Sequence, residues 1–174
     1  SASANGTFVK AIFRTGIPVS PRNIFPSNIQ RLRTWYEARI SQDGYMGPRG
    51  GIDMMGSVHP QSFSKDVGEV EPGGYMLYDS TKPLDLRHVR RDIHYLGIPL
   101  TEMCLREYTD SRQRQLFKNV IYVGALSALL NIDFAILKDL VSEQFEGKEK
   151  LITPNIHALE MGHQFASTHF ECPL

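Results

Sequence analysis

The chain has 174 residues, enough for one domain with a sizeable core, and its nineteen Lys and Arg balance nineteen Asp and Glu. That balance leaves no overall basic footprint for nucleic acid and no polybasic membrane tail, while 41% apolar content argues against disorder. No apolar run reaches the roughly 18 residues of a membrane span, and nothing at the start reads as a signal peptide, so a cytoplasmic setting is expected.

Cys104 and Cys172 stand far apart and outside any CxxC pattern. They give no support to a disulfide framework, a zinc site or a self-contained Fe–S cluster, and the default is a reduced compartment. Residue 1 is Ser, and Ala4, Phe8, Ala11 and Ile12 already recur at helical spacing, so a helix is predicted over residues 1–15 that begins part-way along. The expectation is a fragment or a trimmed chain. Gly16 and Pro18 close this helix, and residues 18–28, with three prolines and several Asn and Ser, read as a loop.

Residues 34–41 alternate Trp35, Glu37 and Arg39 with Tyr36, Ala38 and Ile40, which predicts a strand. Residues 44–53 then combine four glycines, a proline and Arg49. Glycines let a ligand come close, and an arginine offers a planar fork of donors for carboxylate or phosphate. An anion contact through Arg49, Gly50 and Gly51 is the sharper expectation, and a β-turn with a solvated arginine is the plainer one. The single RGG copy lies in a folded sequence, unlike the repeated RGG tracts that bind RNA.

Residues 52–58 read as a buried strand, and Ser62 or Ser64 is placed to cap a short helix running to Val70 with Phe63 and Val67 on its apolar face. Pro72-Gly73-Gly74 ends that helix, and residues 75–78 form a strand that delivers Asp79-Ser80-Thr81 at its tip. This is the pattern of a βαβ unit, with the tip at the strand end where open α/β sheets bind ligands; a polar turn is the alternative.

Residues 92–99 predict another strand running into a helix start at Thr101-Glu102. Asp110 or Ser111 is placed to cap the longest helix, residues 112–130, in which Gly124 costs about 1 kcal/mol relative to Ala and so points to close packing or a ligand. Asn119, on the same apolar helix, reaches either a backbone group or a ligand. Further helices are predicted over residues 133–145 and 155–167, for a total of about five helices and four or five short strands.

Glu160 and His163 form an E-x-x-H pair, but a di-iron site needs a second pair and two further Glu, and the sequence offers none. His157, His163 and His169 are six apart, which rotates them around a helix, and they read as surface residues. No GxSxG, Walker A or HExxH motif appears, and no catalytic residue is expected in this chain.

The loop Tyr45…Arg49-Gly50-Gly51, the apolar strand leading to Asp79-Ser80, the strand end Gly97-Ile98-Pro99 and the helix around Asn119 to Leu126 fall in an order that resembles the gamma domain of 2-oxoacid:ferredoxin oxidoreductases. So does the tail Asn155-Ile156-His157-Ala158-Leu159…Gly162. The resemblance covers nearly the whole chain, and is strongest to the gamma domain that opens the alpha subunit of enzymes of the 2-oxoglutarate type, with pyruvate and ketoisovalerate enzymes as relatives. It implies an α/β fold, a three-layer Rossmann-like domain with a mixed sheet of about five strands, the first strand and its Gly-rich turn being absent from this sequence. It implies a gamma domain over residues 1–168 and the start of a linker over residues 169–174.

By the same resemblance, the complex oxidatively decarboxylates a 2-oxoacid such as 2-oxoglutarate to acyl-CoA, using thiamine diphosphate with Mg2+, [4Fe-4S] clusters, ferredoxin as acceptor and coenzyme A. This domain would help bind coenzyme A and assemble with the rest of the alpha subunit and a thiamine-binding beta subunit. Arg49, Gly50, Gly51 and Asn119 would touch coenzyme A or a substrate anion. Two other functions stay open: a free-standing Rossmann-like nucleotide-binding enzyme, which calls for a Gly-rich fingerprint, and a purely structural assembly module.

Overall fold

In the computed structural model, which describes residues 2–24, 35–41, 43, 50–58 and 62–171, helix α1 (Ala2–Arg14) is followed by strands β1 (Val19–Ile24), β2 (Trp35–Ile40) and β3 (Ile52–Ser57). Helix α2 (Phe63–Glu69), strand β4 (Val70–Asp79), a 3₁₀ turn (Leu86–His88) and strand β5 (His94–Ile98) come next. Helices α3 (Leu100–Glu107), α4 (Ser111–Leu129), α5 (Phe134–Gln144) and α6 (Glu149–His169) complete the chain. These elements form two compact units, Arg49–Lys118 on the one hand and Ser1–Pro48 with Asn119–Leu174 on the other.

The uninterrupted unit is the βαβ pattern made real. Strands β3, β4 and β5 lie side by side in that order and all run parallel, with Met55 opposite Met76 and Met76 opposite Tyr95. Helix α2 crosses from β3 to β4 and buries Phe63 and Val67 against Met55, Val70, Met76 and Ile93. Phe63 meets Tyr78 edge-on at 6.1 Å, an arrangement that suits the ring quadrupoles. Ser62 occupies the N-cap position but makes no side-chain cap bond, because its hydroxyl turns to Ser57, 3.2 Å away.

Strand β4 starts at Val70, directly after the helix, so Pro72-Gly73-Gly74 lies within the strand and does not end the helix. The register shifts between Ile52 and Met54 along this stretch. A Cβ on Gly74 would stand 2.8 Å from the Asp53 carbonyl, and this close approach is what glycine permits. Arg90 locks the corner: its Nη1 donates to the Val67 and Val70 carbonyls, at 2.8 and 2.7 Å, which gives partners to carbonyls at the end of α2.

In the other unit, α1 buries Phe8, Ala11 and Ile12, as their spacing predicts, together with Val9. Its exposed edge is tied to α5, with Arg14 Nη2 2.6 Å from Glu143 Oε2 and Thr7 donating to Gln144. The proline-rich stretch predicted as a loop contains β1, which pairs antiparallel with β2 and places Pro21 opposite Ala38. A strand that has one neighbour tolerates a proline whose missing N–H faces away from the ladder, so proline content misled here. The described strands therefore form a parallel three-stranded sheet and an antiparallel pair. Helix α6 begins six residues before the predicted Asn155, with Pro154 inside it.

Helices α4 and α6 cross at two glycines. A Cβ on Gly124 would stand 2.1 Å from the Leu159 carbonyl oxygen, and one on Gly162 would stand 1.9 Å from that of Ile121. The mid-helix Gly124 is thus explained by packing and not by a ligand. Helix ends follow local chemistry: Asp110 Oδ1 accepts from Gln113 N at 2.9 Å, Asp133 Oδ1 accepts from Ala135 N at 2.9 Å, and Gly16 and Gly147 take positive φ after α1 and α5.

Candidate functional site

The carboxyl edge of the parallel sheet is where a ligand site is expected. At that edge, β4 ends in Asp79, whose side chain is 9% exposed. Oδ2 lies 2.6 Å from Lys118 Nζ and accepts from Thr101 Oγ1 at 2.5 Å. Oδ1 accepts from Thr81 Oγ1 at 2.7 Å, from Thr81 N at 3.2 Å and from Thr101 N at 3.3 Å. The two threonines pass the network on: Lys118 donates to Thr101 Oγ1 at 2.8 Å, and Glu102 N donates to Thr81 Oγ1 at 3.0 Å.

Each hydroxyl donates once to the carboxylate and accepts once from elsewhere, so the directions are mutually consistent. Asp79 caps α3 from a neighbouring strand, supplying the acceptor that Pro99, at the N-cap position, cannot. Burial pushes the Asp79 carboxyl up, but hydrogen bonds from Lys118, Thr101 and Thr81 outweigh it and hold the group down at about 2. A carboxylate so fully used is a fixed anion, not a proton acceptor at neutral pH. Sequence reasoning found the Asp79 tip but not Lys118 or its pairing, which spans two elements and leaves no local pattern.

Gly50 and Gly51 lie at the opposite, amino end of β3. Arg49 falls outside the described residues. Gly51 takes φ +86°, and the Glu71 side chain packs over the place where its Cβ would be, whereas Gly50 has open space there. The Glu71 carboxylate therefore lies beside Gly51. Asn119 is half-buried on α4 and belongs to the other compact unit.

Glu160 pairs with Lys138, 2.8 Å away, and the His163 ring packs on Phe134 with centroids 4.5 Å apart. Burial lowers the His163 pKa. Among the described residues no group of three or more His, Cys, Asp or Glu is placed to hold a metal ion. Burial pushes the Cys104 thiol up to about 11, away from nucleophile chemistry. A second buried polar cluster, unmarked in the sequence, has Ser57 Oγ donating to Asp66 Oδ2 at 2.7 Å.

Residues 1–165 match the model of a family described as pyruvate ferredoxin/flavodoxin oxidoreductase. The chain belongs to this family. Within the pyruvate ferredoxin/flavodoxin oxidoreductase family it is 26% identical over 121 residues to the ketoisovalerate oxidoreductase subunit VorA of Methanothermobacter thermautotrophicus, an overlap of 68% of this chain and 24% of VorA. The chain thus spans about a quarter of that relative's length.

Two solved structures share the fold. One is a 2-oxoglutarate:ferredoxin oxidoreductase from Magnetococcus marinus with 2-oxoglutarate, coenzyme A and succinyl-CoA bound (TM-score 0.79, 23% identity, 97% of this chain and 29% of that chain). The other is the gamma subunit of a keto/oxoacid ferredoxin oxidoreductase from Geobacter sulfurreducens (TM-score 0.71, 16% identity, 95% of this chain and 90% of that chain). The expected α/β, Rossmann-like class holds. No helix among the described residues is long and apolar enough to cross a membrane.

Proposed function

We propose that this chain is the gamma domain of a 2-oxoacid:ferredoxin oxidoreductase, acting on a 2-oxoacid such as 2-oxoglutarate. The observation that carries this reading is a double match: the same fold accounts for 90% of a separate gamma subunit and 29% of a longer oxidoreductase chain. The gamma domain runs over residues 1–168, close to the end of α6 at His169, and a linker starts at residues 169–174. The setting is cytoplasmic.

In the full reaction the bond between the carboxylate and the carbonyl carbon breaks and releases carbon dioxide. The acyl carbon forms a thioester with the coenzyme A sulfur as the thiol proton leaves, and the electron pair would be taken up by ferredoxin, the acceptor this reading assigns to the complex. Thiamine diphosphate, Mg2+ and [4Fe-4S] clusters supply the carbanion and electron chemistry. Among the described residues no set of three metal ligands comes together, and this reading assigns these groups to the other domains and to a thiamine-binding beta subunit. This chain's share is to help bind coenzyme A and to assemble the complex.

Arg49 with Gly50 and Gly51, and Asn119, are the proposed contacts to a coenzyme A phosphate or substrate carboxylate. The Glu71 carboxylate over Gly51 favours a second reading, in which the turn faces a neighbouring domain. Calorimetry of coenzyme A against the intact complex separates the two. Loss of a charge-assisted contact in Arg49→Ala weakens binding by about tenfold or more. Unchanged affinity sinks the ligand role and leaves the assembly module standing.

A further inference from the structure

We propose that the carboxyl end of β4 is an anion-binding pocket whose occupant is the chain's own Asp79 carboxylate, so that removing this side chain opens a site for a small carboxylate ion. The pocket converges from three directions. Lys118 on α4 brings an ammonium 2.6 Å from Oδ2. The start of α3 brings the Thr101 N–H and hydroxyl, and the turn after β4 brings the Thr81 N–H and hydroxyl. These are the elements that hold a phosphate or carboxylate ligand elsewhere: a cation, hydroxyls and the positive end of a helix.

Here the anion is tethered to the strand, and a tethered group competes at high effective concentration against any free one. The sheet edge that usually receives a ligand is therefore closed at β4 in the intact chain. A ligand's phosphate or carboxylate meets threonine and lysine donors already given to Asp79. This inference is independent of the proposed function, because it concerns only the donors around Asp79.

The test is thermal unfolding of the complete polypeptide, as wild type and as Asp79→Ala, in about 0.1 M sodium formate against sodium chloride of equal ionic strength. Asp79→Ala removes a carboxylate and leaves a space of formate size between intact donors. The expected result is a midpoint several degrees below wild type in chloride that recovers in formate, while wild type melts alike in both salts. In Asp79→Ala/Lys118→Met the recovery disappears. An Asp79→Ala midpoint that is the same in formate as in chloride overturns the proposal, as does a variant that folds in neither salt. A second variant guards against a purely steric effect: Asp79→Asn fills the space without charge, melts below wild type and gains nothing from formate. If Asp79→Asn melts with wild type, the pocket has no anion requirement and the proposal fails.

Discussion

Asp79 shows how one residue converts its surroundings into pH dependence. Its folded-state value of about 2 lies below the ordinary 3.8, so the unfolded chain binds a proton more readily. The stability this contributes is present above about pH 4 and is lost as pH falls through the folded value, over a window of roughly 4 to 2. After allowance for solvent screening the contribution is roughly 1–2 kcal/mol. Urea unfolding of wild type and Asp79→Asn checks it: their difference is expected to shrink between pH 4 and pH 2 and to stay constant from pH 5 to 7. A difference that ignores pH would leave Asp79 as packing alone. Asn119 stood out in the sequence as a polar residue on an apolar helix, yet its neighbour Lys118 makes the ion pair. Successive helical residues point about 100° apart, so Lys118 and Asn119 face different neighbours.

At the scale of elements, the crossing of α4 and α6 is fixed by Gly124 and Gly162, each facing a carbonyl of the other helix. Alanine at either position gains about 1 kcal/mol of helix propensity, but overpacking costs about 1–3 kcal/mol, more where the obstacle is backbone. Because backbone carbonyls cannot rotate away, overpacking wins. Gly162→Ala and Gly124→Ala are expected to lower the unfolding free energy by about 1–3 kcal/mol net, with little change in the denaturant slope. Stability equal to wild type would show that the helices separate without cost.

Most elements were legible because their signals are local. The α1, α5 and βαβ patterns rest on periodicity, caps and terminal glycines. The error at β1 has a physical cause as well. Pro21 in β1 was read as part of a loop, although the partner of a strand, not the residue alone, decides whether proline is tolerated. The threonine and lysine partners of Asp79 were invisible for a related reason: they meet only after three elements are in place.

For the whole molecule, the distribution of neighbours predicts an order of opening. Strand β4 has a partner on each side, and Met76 and Leu77 on it are 0% and 1% exposed. Ile121, Leu137 and Ala158 on α4, α5 and α6 are fully buried. The β1–β2 pair has no further strand among the described residues, and Ser20, Pro21, Arg22 and Glu37 on it are exposed. A two-stranded ribbon is marginal by itself, so its amides open at low free energy while those of central strands and buried helices wait for global unfolding. Native-state hydrogen exchange on the complete polypeptide should therefore find the slowest amides at 76–77 and in the buried turns of α4 to α6, and faster exchange throughout the ribbon. If the ribbon exchanges as slowly as β4, then it is covered either by α1, which touches both of its strands, or by the neighbouring domains of the proposed complex. Repeating the measurement on the assembled complex distinguishes these cases, since only a ribbon covered by those domains changes its protection when partners are removed.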